Sequence, residues 1–225
     1  DLGRDLYSRT LIATGTSISI GVIGVMLSFV LALIIGGVAG YFGGIIDSVI
    51  QRATEIVRVV PVIPLFVGLA AAFPKDWSST QVYFAMTIVL GLLGWPTLAR
   101  RIRGHLLSQK NEDYVLAAEL AGSKPARIIS RHLLPSFTSY IIVDLVITFP
   151  YTILAETALS FIGLGLRPPS VSWGILLQDA QNIRAIEQAP WLFIPAGFVV
   201  VAVLAFTILG DGLRDAADPY TVSKG

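Results

Sequence analysis

Two carboxylates, Asp144 and Glu156, stand inside an otherwise apolar run, and the two histidines of the chain, His105 and His132, accompany its most basic stretch. Their types and setting make them the first candidates for chemistry. An acid at membrane depth marks either a polar pathway or a buried hydrogen bond. The two carboxylates are twelve residues apart, about 18 Å along a helix rising 1.5 Å per residue, so they do not form one site on that helix. Asp144 suits a pathway and a buried hydrogen bond equally, whereas Glu156, nearer the end of its run, suits a hydrogen-bonded structural role better. The constellations of soluble enzymes are missing: there is no HExxH, no Cys/His cluster and no GxxxxGK[ST] loop. Gly122, Ser123 and Lys124 have the end of a phosphate loop without its upstream glycine and strand. The chain is therefore expected to hydrolyse no nucleotide itself and to hold neither metal nor cofactor.

Composition says where such residues must sit. Hydrophobic residues are 54% of the 225, charged residues 14%, and the mean hydropathy is +0.75, whereas an ordinary soluble domain is about 25% charged. So little polar surface implies an all-α polytopic membrane protein. A formal net charge of +1, with no Lys/Arg run outside the central loop, excludes a strongly basic nucleic-acid binder. With no cysteine there are no disulfides and no Cys-ligated metal. The sequence starts at Asp1 without Met or a charged-then-apolar leader, so a preceding segment is expected.

Five spans are legible. Residues 1–16, holding Arg4, Asp5 and Arg9, read as a short amphipathic lead-in, and residues 17–39 carry no charge over the roughly 20 apolar residues a spanning helix needs. Gly36, Gly40 and Gly44 then recur every fourth residue, which would let another helix approach closely; for Gly43 and Gly44 a plain turn fits as well. Residues 45–73 form a less regular span. Asp47, Arg52, Glu55 and Arg58 crowd its first half, with Arg52–Glu55 and Glu55–Arg58 at ion-pair spacing, and Pro61 and Pro64 should kink or break it. A helix broken at membrane depth usually lines a cavity or pathway. After a loop at residues 74–80 with Lys75, Asp76 and Trp77, the third span covers about 82–98, with Pro96 near its inner end. The fourth covers about 137–161 and the fifth about 191–209.

Charge orients them. Arg100, Arg101, Arg103, Lys110, Lys124, Arg127 and Arg131 place seven of the sixteen Lys and Arg residues at about 99–135, and the positive-inside rule makes that loop cytoplasmic. The loop at about 162–190 is then outside and the tail at 210–225 inside. In the outer loop Gly163, Gly165, Pro168 and Pro169 make a turn, Ser172 is placed to cap a helix, and Ile175, Leu176, Asp179, Gln181 and Arg184 give a short amphipathic segment bracketed by Trp173 and Trp191. It would lie on the outer membrane face or meet an extracytoplasmic partner.

The central stretch, NEDYVLAAELAGSKPARIISRHLLP at residues 111–135, organises the rest. Asn111 reads as an N-cap, and Glu112 and Asp113 suit the first turn of a helix. The helix of about ten residues should end at Gly122, far too short to cross a membrane. Ser123 reads as the cap of a second helix with Pro125 in its first turn. Ala117 and Ala121 share one face, Ala118 and Gly122 the next, so the helix is narrow enough to fit deep in a groove. A plain surface hairpin satisfies composition equally.

Ala117, Ala118 and Gly122, then nine residues, His132, Leu134 and Pro135 resemble the EAA loop of permease subunits of ABC importers. Leu116 stands where that family usually has the glutamate, and His132 where it usually has an aliphatic residue. RHLLP (residues 131–135) is similar to the oligopeptide and dipeptide branch. LGRDLYSR (2–9), AETALSFIGLGLRPPSVSWG (155–174) and LGDGLRDAADP (209–219) resemble further segments of its smaller permease subunit, so the likeness extends over nearly the whole chain.

The resemblance implies a type I ABC importer transmembrane domain with the MetI-like fold, one permease domain over 1–225, and a sixth, N-terminal span before the five visible ones. It implies that Asp113, Tyr114, Ala117, Ala118, Gly122, Ser123 and Pro135 couple to the ATPase, with Asp144, Pro61, Pro64 and Glu156 as candidates for the translocation path. The implied partners are a second permease subunit in a heterodimer, two ABC ATPases carrying ATP and Mg, an extracytoplasmic solute-binding protein and the lipid bilayer of a bacterial or archaeal cytoplasmic membrane. Peptides are the first cargo it suggests. An oligosaccharide, nickel or glutathione would use the same architecture, and an ion-coupled secondary transporter working through Asp144 or Glu156 is a reading from another class.

Overall fold

The computed structural model describes residues 5–74, 76–181 and 187–217, and these contain helices and no strand. Arg4, Lys75, Arg184 and the tail from residue 218 lie outside the described residues. Helix α1 (Leu6–Phe42) is 37 residues long. The expected amphipathic lead-in is thus the start of the first spanning helix, because Asp5 caps it: its carboxylate accepts from the amides of Tyr7 (3.0 Å) and Ser8 (3.3 Å) and from the Ser8 hydroxyl. The Ser8 bonds hold the Asp5 carboxyl below the usual carboxylate range.

Helices α2 (Gly44–Val59) and α3 (Val62–Ala72) are separated by extended residues Val60 and Pro61. The break therefore falls at Pro61. Pro64 sits in the first turn of α3, where its missing N–H would have had no helical partner, and it is accommodated without a kink. Helix α4 (Ser79–Gln109) contains Pro96 and runs on through Arg100, Arg101 and Arg103, so these arginines sit on a helix rather than in the expected loop. Two short helices follow, α5 (Asp113–Leu120) and α6 (Pro125–Ile128), then a π-helical turn (Ile129–Leu133), a 3-10 turn (Pro135–Phe137) and α7 (Thr138–Phe161). Helix α8 (Trp173–Asp179), a 3-10 turn (Pro190–Phe193) and α9 (Ile194–Ala217) complete the order. Among the described residues, four helical stretches are long and apolar enough to cross a membrane, at 6–42, 79–109, 125–161 and 190–216, and α2 with α3 passes the same test as one broken span.

The chain divides into two compact units. One comprises residues 1–25, 61–90 and 147–209. Its centre is polar: Glu156 is fully buried and accepts from the hydroxyls of Ser17 (3.0 Å) and Ser160 (2.9 Å). Those serines in turn accept from the amides of Trp173 and Leu166, each at 3.2 Å. Ser172 caps α8 as expected, accepting from the Ile175 amide at 3.4 Å. Trp173 is not the interfacial anchor expected of it. It is 1% exposed, whereas Trp191 is 57% exposed. Burying Trp173, Ile175 and Leu176 docks α8 into its own unit, where Gly174 lies so close to α7 that an added Cβ would meet the Thr157 carbonyl oxygen at 2.5 Å.

The other unit comprises residues 26–60, 91–146 and 210–225. Its core joins Ala32 of α1, Trp95, Leu98, Ala99, Ile102 and Leu106 of α4, Val115 of α5, Ile128 and Leu133. Two of the three spaced glycines let α1 and α4 meet. A Cβ on Gly36 would stand 2.5 Å from the Ala99 carbonyl oxygen, and one on Gly40 would stand 2.7 Å from the Leu106 Cβ. Gly44 has open space around it and φ of 56°, and Gly43 has φ of 65°, so this pair is the turn between α1 and α2.

Candidate functional site

Helix α5 starts one residue later than its sequence suggests. The amide of Glu112 closes a turn on the Gln109 carbonyl at 3.1 Å, which consumes Asn111, and Glu112 becomes the extended residue whose carbonyl accepts from the amides of Val115 (2.9 Å) and Leu116 (3.1 Å). Neither Asn111 nor Glu112 caps with its side chain. Asp113 in the first turn still complements the positive end of the helix.

The far end is closed by a Schellman motif. The Ser123 amide reaches the Ala118 carbonyl at 3.0 Å and the Gly122 amide the Glu119 carbonyl at 2.8 Å, with Gly122 at φ of 76°. This spends the Ser123 backbone on α5, and Lys124 rather than Ser123 precedes α6. The reason is local: a residue before proline is pushed into extended conformation, so the helix begins at Pro125. Further on, the Leu134 amide bonds the Ile129 carbonyl at 2.9 Å, the wide register of a π turn. That turn lies immediately before Leu134–Pro135, where the proline ring offers no N–H and crowds the preceding turn.

Side chains sort α5 into two faces. Val115 is fully buried in the core, Ala118 packs against it, and the Glu119 carboxylate accepts from the Tyr41 hydroxyl of α1 at 2.8 Å. Opposite them Leu116 is 43% and Leu120 91% exposed, with Ala117, Ala121 and Gly122 also exposed. Tyr114, exposed as well, donates to the Gln109 side-chain oxygen at 3.2 Å. An eight-residue helix thus presents two leucines one turn apart among alanines, while its inner face is tied to α1 and the core. Of the residues singled out from sequence, Asp113, Tyr114, Ala117 and Gly122 lie on the open side, Ala118 faces inward, and Ser123 serves through its amide. Pro135 is exposed where the connection turns into α7.

Two ion pairs brace the helices behind this face. Arg103 engages the Asp47 carboxylate with both Nε and Nη2, joining α4 to α2. Arg101 pairs with Asp144, joining α4 to α7, and its guanidinium lies 5.9 Å from the Tyr140 ring centroid. Beside it His105, Phe137 and Tyr140 stack with centroids 4.2 and 4.6 Å apart, and His105 Nε2 is 2.9 Å from the Ser136 hydroxyl. Asp144 is therefore buried against a cation rather than open. No sequence signal announced either pair, since the partners are tens of residues apart. Of the two pairs expected within α2, Arg52–Glu55 forms at 2.9 Å and Glu55–Arg58 does not. Pro61 and Pro64, both exposed, and the buried Glu156 belong to the other unit.

Residues 29–222 match the family described as "binding-protein-dependent transport system inner membrane component". Among curated proteins the chain is similar to the oligopeptide transport system permease protein OppC of Bacillus subtilis (strain 168), 37% identical over 220 residues that cover 97% of this chain and 70% of that one. It is 39% identical to the dipeptide transport system permease protein DppC of the same organism, over 97% of this chain and 67% of the relative. Two solved structures share the fold, both inward-facing forms of the MetNI methionine ABC transporter. One has a TM-score of 0.72 at 17% identity, covering 95% of this chain and 98% of that one; the other has 0.70 at 16% identity, covering 93% and 97%.

Proposed function

The chain belongs to the family of inner membrane components of binding-protein-dependent transport systems, and from that premise we propose that it forms half of the path of a peptide importer and passes the motion of a separate ATPase to that path through α5. As a multi-pass permease it supplies the membrane-spanning part of an ABC importer. The observation that carries the coupling role is the outward face of α5, with Leu116 and Leu120 exposed on a helix whose other face is fixed by Val115 and the Tyr41–Glu119 bond. A helix closed at its end and seated on a core moves as a body. A push on its outer face is then transmitted through Val115, Ile128 and Leu133 to α1, α4 and the start of α7.

The mechanism read from this arrangement is alternating access. A solute-binding protein brings cargo to the extracytoplasmic mouth, this chain and a second permease subunit enclose the path, and two ATPases carrying ATP and Mg close beneath α5 of each permease. The membrane is the cytoplasmic membrane of a bacterium or archaeon. Peptides are favoured as cargo by the relatives, which are named as oligopeptide and dipeptide permeases. An ion-coupled carrier is disfavoured by the state of its two acids: Asp144 is bound to Arg101, and Glu156 is enclosed by serine hydroxyls.

The test uses the assembled complex. Leu120→Glu puts a charge on the outer face of α5, and Gly122→Val forces a branched side chain into a left-handed backbone position. Both variants should insert in the membrane, yet retain less than about one tenth of the co-purifying ATPase and of ATP-driven peptide uptake, a loss of about 1.4 kcal/mol or more in docking. Normal ATPase recovery with Leu120→Glu would overturn the coupling role. Normal ATPase recovery with no uptake of any peptide by the unaltered complex would overturn the cargo alone.

A further inference from the structure

One open cleft among the described residues brings six hydroxyl-bearing side chains together with a few apolar ones. It has a volume of about 400 Å³ and lies within the unit that contains the start of α1, with Thr16 and Ser19 of α1, Ser79, Thr80 and Tyr83 of α4 and Ser170 of the loop before α8 on its walls. The remaining lining is Ile12, Gly15 and Val171, so no charged side chain takes part. The Tyr83 hydroxyl donates to Ser19 Oγ at 2.9 Å, and Ser19 Oγ donates to the Thr16 carbonyl at 2.8 Å, which fixes that corner.

Ser79 and Thr80 start α4 and Ser170 lies in the loop read as extracytoplasmic, so the cleft opens at the outer end of this unit, where water and an arriving solute have access. The volume is within the roughly 300–1,000 Å³ range of sites that hold small ligands. A binding surface for a folded partner would place aromatic or arginine anchors at its centre, and the cleft offers a single tyrosine, already bonded.

We propose that this hydroxyl-lined cleft is a subsite of the translocation path that holds the backbone of a short peptide, resting on the reading of the cargo as peptide. The protons of Tyr83 and Ser19 are already committed, so these two offer acceptor oxygens. Thr16, Ser79, Thr80 and Ser170 can donate or accept, and the set can follow the alternating N–H and C=O groups of a main chain. Neutral walls neither select nor trap charged side chains. A path serving peptides of many sequences needs both properties, since a fixed charge would retain some cargoes and reject others. The cleft therefore recognises what all peptides share.

The complex of this chain with its permease partner, ATPases and binding protein, reconstituted in liposomes, tests the idea with alanyl tripeptide as the probe. The double variant Thr16→Val, Ser19→Ala removes two hydroxyls with little change of volume, and it should lower peptide taken up per ATP hydrolysed by about tenfold. A merely structural role would lower uptake and hydrolysis together. Because the chain has no cysteine, Thr80→Cys gives a single thiol on the cleft wall. Its alkylation by a small maleimide should slow severalfold when loaded binding protein and ATP are supplied with the peptide, relative to empty binding protein and ATP. Unchanged peptide per ATP in the double variant, or equal protection by loaded and empty binding protein, would overturn the subsite; the latter would make the cleft a docking surface for that protein. If the unaltered complex takes up no peptide, the cargo reading falls first, and this inference with it.

Discussion

Arg101 and Asp144 show how the meaning of a residue depends on its neighbour. A carboxylate in an apolar run is costly to bury alone, and the structure neutralises it with a guanidinium from another helix, half-exposed at 44%. Removing Arg101 should leave Asp144 buried and uncompensated. Arg101→Ala is expected to destabilise the solubilised complex by about 3 kcal/mol, at the lower end for a buried pair because the arginine is partly solvated. Arg101→Met with Asp144→Leu should recover most of that loss, since it removes both charges. Thermal unfolding of the three variants measures the difference, and an Arg101→Ala complex as stable as the parent would show that the pair contributes nothing. The sequence marked Asp144 as notable through its setting. It held no sign of the partner, because Arg101 lies in a basic cluster that the positive-inside rule already accounts for.

Among the elements, the contact of α1 with α4 is the one that small residues make possible. The four-residue glycine spacing was readable, and the reason for it is visible only in contact: Gly36 and Gly40 touch the backbone of α4 around Ala99 and Arg103, while Gly44 belongs to a turn. Gly40→Ala should therefore cost about 1–3 kcal/mol through overpacking, despite alanine's better helix propensity. Gly104→Ala, where nothing lies within 4 Å of the added methyl, should be neutral or stabilising by up to about 1 kcal/mol. Recovery of folded protein after heating compares them, and equal behaviour of the two variants would refute close packing at Gly40. Helix α5 carries the same lesson about ends. Gly122 was legible as its stop, because glycine alone takes a left-handed position freely. The start was not, because the turn from Gln109 to Glu112 used Asn111 before it could cap.

For the whole molecule, charge distribution sets orientation, and a cysteine-free chain makes that measurable. Leu120→Cys, on α5, should react with a membrane-impermeant maleimide only from the cytoplasmic side, and Asp76→Cys, in the loop before α4, only from the opposite side. Labelling of both from one side would refute the topology. By itself the sequence determined the membrane class, the apolar centre of each of the five spans though not the ends of the helices, which overrun the first and third by about ten residues, a proline break near residue 61 and the short small-residue helix ending at Gly122. These follow from composition, apolar run length and the backbone limits of proline and glycine, all of which are local. Tertiary structure alone decided that Trp173 is buried rather than interfacial, that Arg103 holds Asp47, that serines from α1 and α7 enclose Glu156, and which face of α5 is left open. Those outcomes depend on groups brought together from distant parts of the chain, and hydropathy records how apolar a residue's surroundings must be without recording which residues provide them.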